Sequence, residues 1–346
     1  MNGNKQNQRG GDYSTNVQVE KQVINTGLSL QDVKSLLEDK IPYVVGEAEK
    51  AAEKRAEKLF QIMAPRFENV DFLKQFELPE NQATLKLVGQ QVVGTDKESD
   101  YKLLSELLEH RVKNNGDKLK TTNIEYAIKT IKDLSDEGLI VLTLVSCIFG
   151  LSANSADIDS ALSIMDNLFT KVCDQELPET NSWLDHLDLL KTIRVNSVTS
   201  ASKFEEIFHN QYSEILRYGI LIGSETHTEA LKILDRNELS HYFLVVNKNH
   251  PGYLHLRLSN SKIKEDNALT ETEKKALLRI SDLYSSETDS VEFLNKKMED
   301  YPKLEEIRNW WDKNLSPGFH LTQLGMLIGD INVHLVEPGL PKLADY

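Results

Sequence analysis

The side chains best suited to acid–base or metal chemistry are the nine histidines, which are scattered along the 346-residue sequence. Asp185, His186 and Asp188 form the densest group, but adjacent residues on a helix point in diverging directions. None of the histidines pairs with Cys, Asp or Glu at a spacing typical of metal ligands. We therefore interpret this group as a solvated helix surface rather than a metal or acid–base site.

Sequence motifs of known catalytic centres are also missing. The sequence contains no G-x-x-x-x-G-K-[ST], no G-x-G-x-x-G after a strand, no H-E-x-x-H, no G-x-S-x-G and no C-x-x-C. Paired carboxylates are frequent in so acidic a chain, and no pair stands out. We predict no catalytic residue, no metal and no cofactor. An enzyme of unrecognised type, with its site in the helical body, is the second interpretation.

Composition narrows the classes of partner. The net charge of −14 disfavours sequence-independent binding to nucleic acid and to anionic membranes. The two cysteines, Cys147 and Cys173, occupy apolar positions of predicted helices, which is typical of core residues in a reducing compartment. The most apolar run, residues 138–151, is too short to span a bilayer and predicts a buried core helix. Without an apolar leader at the N-terminus, a cytoplasmic protein is expected.

The positions of apolar residues predict a mainly α fold. Its parts are a flexible N-terminal interaction segment (1–28), a multi-helix body (29–238), and a β-hairpin with a C-terminal winged-helix-like module (239–346). Residues 29–235 are expected to be helical throughout. The regular stripes comprise Ala48, Ala52, Ala56, Leu59, Phe60 and Met63; Ile158, Ala161, Leu162, Met165, Leu168, Phe169 and Val172; and Phe204, Ile207, Phe208, Ile215 and Leu216.

Two local signals stand out in the C-terminal third. Leu254, Leu256 and Leu258 alternate with polar or aromatic residues after a turn-rich spacer, which predicts a β-hairpin over 242–258. Thr270 and Glu273 form the pattern of a capping box and predict the start of a helix.

The segment FHLTQLGMLIG (319–329) resembles the ending of winged-helix modules, in which a short strand leads into L-T-x-L-G and a closing helix. The resemblance covers roughly residues 265–336. The candidate recognition helix, KLEEIRNWWDKN, balances its basic residues with acidic ones, which favours protein contact over DNA binding. Because neighbouring side chains on a helix diverge by about 100°, one of Trp310 and Trp311 is predicted at a domain or subunit interface.

The polar segment STNVQVEKQVIN, within residues 10–27, is the strongest functional signal. β-Branched and amide side chains alternate in it, an arrangement that suits intermolecular strand pairing. The predicted self-assembly or partner-binding residues are Asn16, Val17, Gln18, Val19, Val23 and Ile24. Glu20 would limit stacking, because its charge repeats at the strand spacing. The alternative is a flexible tail that merely precedes the fold.

The pattern G-G-D-x-S-T-N-x-Q at Gly10–Gln18 resembles the N-terminal signature of an uncharacterised family of bacterial helical proteins, and A-E-K-R-A-E-K in the helix that follows also fits. The same opening is loosely similar to bacterial amyloid signalling motifs of the RIP-homotypic-interaction (RHIM) type. Val17-Gln18-Val19 matches that motif, and Glu20 stands where it has glycine. The resemblance implies a role in bacterial antiviral defence.

These observations predict a non-enzymatic interaction or effector protein that is recruited or assembled through its N-terminal β-prone segment. A protein partner or self-association is expected, with a homo-oligomer as one outcome and without specific nucleic-acid binding. A winged-helix transcriptional regulator is the third interpretation, after the enzyme, because the acidic charge disfavours it.

Overall fold

The computed structural model describes residues 41–155, 157–196, 198–285, 291–314 and 318–342 of the chain. Within these ranges the fold is mainly helical, as predicted, with fifteen α-helices and five short strands. The chain divides into two compact units, and the boundary between them lies inside the first helix, between Glu53 and Lys54. The described part of the first unit is the N-terminal stretch of that helix, where Lys50 Nζ lies 2.9 Å from Glu47 Oε1.

The elements follow one another along the chain in three groups. The helices before the first strand are α1 (Ile41–Phe67), α2 (Val70–Lys74), α3 (Pro79–Val93), α4 (Glu98–Lys113), α5 (Lys118–Ile131), α6 (Asp136–Gly150), α7 (Ile158–Val172) and α8 (Ser182–Leu189). Next come β1 (Ile193–Asn196), α9 (Phe204–Tyr212), β2 (Ile220–Leu221), α10 (Glu225–Arg236), β3 (Leu244–Val246) and β4 (Tyr253–Leu256). The last group is α11 (Asn260–Glu265), α12 (Glu271–Asp282), α13 (Val291–Met298), α14 (Pro302–Asn314), β5 (Gly318–Leu321) and α15 (Gln323–Val336).

Helix α7 confirms the clearest apolar stripe in the sequence. Asp157 caps its N-terminus, and the Oδ1 atom of this residue accepts a hydrogen bond of 2.8 Å from the Ser160 N–H. All seven residues of the predicted stripe are buried. Spacings of three and four place them on one face of the helix, and this face packs into the core.

Helix α6 is the core helix that the apolar run predicts. Every residue from Gly138 to Ile148 is buried, so the helix is enclosed on all sides. Helix α15 lies against it, with Gly329 close to Ser146 and to the Leu142 carbonyl. Among the described residues, no helix has both the length and the apolarity needed to cross a membrane.

A two-stranded sheet differs from the prediction that residues 29–235 are entirely helical. Strand β1 lies in that range and pairs antiparallel with β5, with Ile193 opposite Leu321 and Asn196 opposite Gly318. A four-residue strand is too short to show a period-two pattern, and its partner lies more than a hundred residues further along the chain. The strand therefore forms through a long-range contact that local sequence cannot indicate.

The predicted hairpin is confirmed and belongs to a three-stranded antiparallel sheet of order β2-β4-β3. Val246 lies opposite Leu254 and Leu244 opposite Leu256. The capping box of α12 is also confirmed, with reciprocal hydrogen bonds between Thr270 and Glu273. Around this sheet lies a small core, separate from the large one. Its buried residues are Ile220, Ala230, Ile233, Leu234, Leu239, Leu256, Ile263, Ala276, Leu277 and Ile280.

The residues after the small core return to the large core, which starts at Leu59 and ends at Val333. Buried side chains of α13, α14 and α15 belong to it, so these helices pack with the helical body. Thr322 joins the start of α15 to the segment before β1. Its backbone N–H donates to Thr192 O at 3.0 Å, and its Oγ1 donates to Lys191 O at 2.7 Å. The winged-helix resemblance of 265–336 is therefore not confirmed as a module. In this structure L-T-x-L-G is a contact between α15 and the segment before β1.

A pair of carboxyl groups lies where α14 meets the start of α9. Asp312 Oδ1 accepts a hydrogen bond of 3.0 Å from the Phe204 N–H, and its carboxyl group also hydrogen-bonds the buried side chain of Glu205. Partial burial raises the pKa of Asp312, and the charge of Glu205 raises it further. A raised pKa in the folded state means that this group stabilises the fold while it is protonated. That stabilisation is lost as the pH rises through the folded-state pKa.

We therefore expect Asp312→Asn to stabilise the protein at pH 7. The amide can still accept from Phe204 and can donate to Glu205 at every pH. The gain in unfolding free energy over wild type should shrink as the pH falls towards 3.8, the ordinary pKa of aspartate. Urea unfolding of both proteins across this pH range measures the effect, with the exposed Asp185→Asn as control. A gain that does not vary with pH would contradict the assignment.

Candidate interaction surface

The predicted assembly residues lie outside the described part of the chain. Asn16, Val17, Gln18, Val19, Val23 and Ile24 all precede residue 41, where the description begins. Their role as a β-pairing segment stays a prediction.

Trp310 and Trp311, one of which is predicted at a domain or subunit interface, are both buried within the chain. Trp310 is 8% exposed and Trp311 is 2% exposed, and both belong to the large core. Each indole N–H donates to a backbone carbonyl: Trp310 Nε1 to Pro178 O at 2.8 Å, and Trp311 Nε1 to Ser202 O at 2.9 Å. Helix α14 has core on two sides, so neighbouring side chains can diverge and still both be covered. Neither indole offers an exposed face to a partner.

The densest acidic and histidine group does not converge on a shared site. Asp185 is exposed, whereas His186 and Asp188 are half-buried. Asp188 Oδ1 accepts a hydrogen bond of 3.3 Å from the Val195 N–H, and His186 Nε2 is buried without a hydrogen-bond partner. Among the residues the structure describes, no three His, Cys, Asp or Glu side chains are arranged to hold a metal ion.

The two cysteines are buried free thiols, as the sequence predicts. Burial raises the pKa of Cys173 to about 12 and raises that of Cys147 well above its usual value. Because the thiolate is the nucleophilic and metal-binding form, thiols with raised pKa values are inert at neutral pH.

An exposed apolar surface lies where α1 ends and the chain turns through α2. We call it the phenylalanine surface, and it consists of Phe60, Phe67, Val70, Phe72, Leu73 and Phe76. The exposed fractions of Phe60, Val70 and Leu73 are 62%, 62% and 51%. The other three members are half-buried rings. A contiguous exposed apolar patch rimmed by polar residues is typical of a protein-binding surface.

The aromatic rings of this surface pack on one another. The centroid of Phe67 lies 6.2 Å from Phe60, 5.9 Å from Phe72 and 5.7 Å from Phe76. Phe72 and Phe76 meet edge to face at 5.4 Å. Such contacts hold the rings in a defined arrangement although one side remains open to solvent.

The local sequence forces the chain to turn at this position. Asn69 caps α2, and its Oδ1 accepts hydrogen bonds from the N–H groups of Asp71 at 2.9 Å and Phe72 at 3.2 Å. Just before the turn, Arg66 pairs with Glu106 and Glu109 of α4. Burial raises the pKa of Glu109, but hydrogen bonds from Lys113 and Arg66 outweigh it and hold this pKa below its usual value. These bonds fix the end of α1 to the helical body.

An open cleft of about 510 Å³ borders the phenylalanine surface, between the turn and α4. Phe72 and Val112 form its apolar part, and Arg66 and Glu109 its charged part. An apolar side chain of a partner has room to enter beside the Phe72 ring.

The sequence pattern alone assigns Phe60 to the wrong environment. It shares the predicted stripe with Leu59 and Met63, which are buried, yet Phe60 itself lies at the exposed edge. A helix buries a face of limited width, so a residue next to the stripe is core or surface according to what packs against it. The sequence feature that could have indicated this exposed surface is the recurrence of phenylalanine at positions 60, 67, 72 and 76, across the end of a helix.

Comparison with known proteins places the chain in a protein family. No curated protein and no solved structure matches the chain significantly. A family model with the description “:-like” matches residues 27–339. The matched range includes the phenylalanine surface and both hydrophobic cores, and begins after the Gly10–Gln18 signature. Since it covers well over half of the chain, the protein belongs to this uncharacterised family.

Proposed function

We propose that the protein is a non-enzymatic interaction or effector protein that associates with further copies of itself. Residues 1–28 would pair as intermolecular strands, and the phenylalanine surface would bury its exposed rings in the same assembly. The antiviral context and the RHIM-type assembly rest on the resemblance of Gly10–Gln18 to bacterial signalling motifs.

The observation that carries this proposal is the exposure of the phenylalanine surface. Removing a large apolar side chain from water is worth about 1.5–3 kcal/mol, and three such side chains stay more than half exposed here. Phe60 and Phe67 of this surface lie on α1, and Val70, Phe72 and Leu73 lie on α2. Aromatic residues, phenylalanine among them, are also enriched at the core of protein interfaces.

Deletion of residues 1–28 tests the role of the N-terminal segment. We expect the full chain to form oligomers at micromolar concentration and the truncated chain to lose them, because the paired strands are gone. Sedimentation velocity measures the size, and phage plating on cells that express each form measures the activity. If the truncated chain keeps both its oligomer size and its protection against phage, the segment is only a tail.

The double variant Val70→Ser, Leu73→Ser tests the phenylalanine surface. Loss of two exposed apolar side chains should weaken self-association about tenfold or more, at little cost in folding stability because neither side chain is buried. Leu119→Ser is the matched control: Leu119 is 66% exposed but lies outside the surface. Equal assembly of the double variant, the control and the wild type in sedimentation velocity would refute the role of this surface.

A further inference from the structure

A small polar cavity lies between the large core and the small core. Its volume is about 50 Å³, enough for a few water molecules or one small ion. Asn154 and Ser155, Arg217, and the strand and loop from His255 to Ser259 contribute to its walls, together with Lys262 and Tyr284. We propose that this cavity binds a small tetrahedral oxyanion, such as inorganic phosphate or the phosphate group of a small molecule.

The positive charge of the cavity is largely uncompensated. Arg217, Arg257 and Lys262 line it, and none of the three forms an ion pair with a described acidic residue. Glu214 is the acidic residue in the wall, and its Oε1 accepts a hydrogen bond of 2.6 Å from the Asn260 N–H. Three cations therefore face one carboxylate in a chain whose net charge is −14. An oxyanion would relieve the repulsion among these cations.

Arg217 is held in place with donors to spare. Its Nη1 and Nη2 lie 3.4 Å from the carbonyl oxygens of Ser281 and Tyr284, and its guanidinium lies 5.0 Å from the centroid of the Tyr284 ring. A guanidinium has five N–H donors, so these two long bonds leave at least three. The planar guanidinium group suits two-point binding of phosphate oxygens.

The backbone of this arginine is fixed by a buried amide. Asn247 is 4% exposed, and its Nδ2 donates to the carbonyls of Arg217 at 3.2 Å and Tyr218 at 3.0 Å. Its Oδ1 accepts from the N–H groups of Asn249 and His250. The arginine thus enters the cavity from a segment tied to the loop of the β3–β4 hairpin, and Asn247 acts as a positioning residue.

One neutral donor, the Tyr284 hydroxyl group, completes the wall. Burial raises the pKa of Tyr284, so its hydroxyl group keeps its proton. This oxygen accepts the Leu256 N–H at 2.5 Å, which leaves its own O–H free to donate. Burial lowers the pKa of His255, and the side chain of this residue hydrogen-bonds the Leu256 backbone, so its single N–H is not counted as a donor to the anion. A hydrogen bond from the Tyr284 hydroxyl group to a charged phosphate oxygen would be charge-assisted and therefore stronger than a bond between neutral groups.

The test is titration of the full chain with inorganic phosphate at constant ionic strength, followed by calorimetry and by thermal unfolding. We expect saturable binding at millimolar concentration or below, and a rise in Tm with phosphate that chloride does not give. Arg257→Gln together with Lys262→Gln should weaken phosphate binding about tenfold or more. Both side chains are exposed enough for the fold to tolerate the change.

Lys264→Gln and Arg236→Gln are the matched controls, since both residues are exposed cations outside the cavity. They should leave the phosphate affinity unchanged. Absence of saturable binding, or an equal loss in the test pair and the controls, would overturn the proposal. Titration with glycerol phosphate shows whether the natural ligand is free phosphate or a phosphate ester. Tighter binding of the ester than of free phosphate identifies a phosphorylated small molecule, and tighter binding of free phosphate identifies the ion. Neither result depends on the oligomer size, so this proposal can fail while the proposed function stands.

Discussion

Replacing Gly325 by alanine is expected to destabilise the protein by about 1–3 kcal/mol. A Cβ atom at this position would lie 2.0 Å from the carbonyl oxygen of Thr192, well inside the 3.0 Å below which real Cβ atoms are not found. The neighbour is backbone, and the Thr322 N–H bonds the same carbonyl, so neither side can move alone. Accommodation would require α15 to shift away from the segment before β1.

Gly89→Ala is the control for this substitution. Gly89 lies inside α3, and a Cβ atom there would meet nothing within 4 Å. Alanine is the better helix former by about 1 kcal/mol, so this variant should be at least as stable as wild type. Urea unfolding of both variants gives the two free energies. Equal stability of Gly325→Ala and wild type would mean that α15 is not packed on the helical body as described.

The parts of the fold that local sequence predicts are those that local physics determines. The stripe of α7 specifies one buried face without reference to any other segment, and the capping box of α12 needs only Thr270 and Glu273. The β3–β4 hairpin is indicated by an apolar run, a turn-rich spacer and the alternation of Leu254, Leu256 and Leu258. Each of these features forms between residues less than twenty positions apart.

The features that the sequence does not predict depend on distant partners. Strand β1 exists because β5 lies beside it, and L-T-x-L-G is explained by the Thr192 carbonyl rather than by a wing. The proposed anion cavity is likewise assembled from five separate stretches of chain, so no motif marks it. Phe60 is exposed because nothing in the described chain covers the edge of the α1 stripe.

Replacing Trp311 by alanine is expected to cost about 3–5 kcal/mol of folding stability. Its ring lies 5.9 Å from Phe149, 6.2 Å from Phe204 and 6.3 Å from Phe319, measured between centroids, so alanine would leave a cavity among three aromatic rings. The Ser202 carbonyl would also lose the indole N–H that donates to it.

This variant separates a core role from an interface role, because the two roles predict opposite results. If Trp311 packs the core, alanine lowers the unfolding free energy in urea. Trp311→Phe keeps an aromatic ring but removes the N–H donor. Its unfolding free energy should then be only about 1–2 kcal/mol lower than that of wild type. If Trp311 instead contacts a partner, alanine would leave unfolding unchanged and reduce the oligomer size in sedimentation velocity. We expect the first result, because a side chain that is 2% exposed has no surface left for a partner to bury.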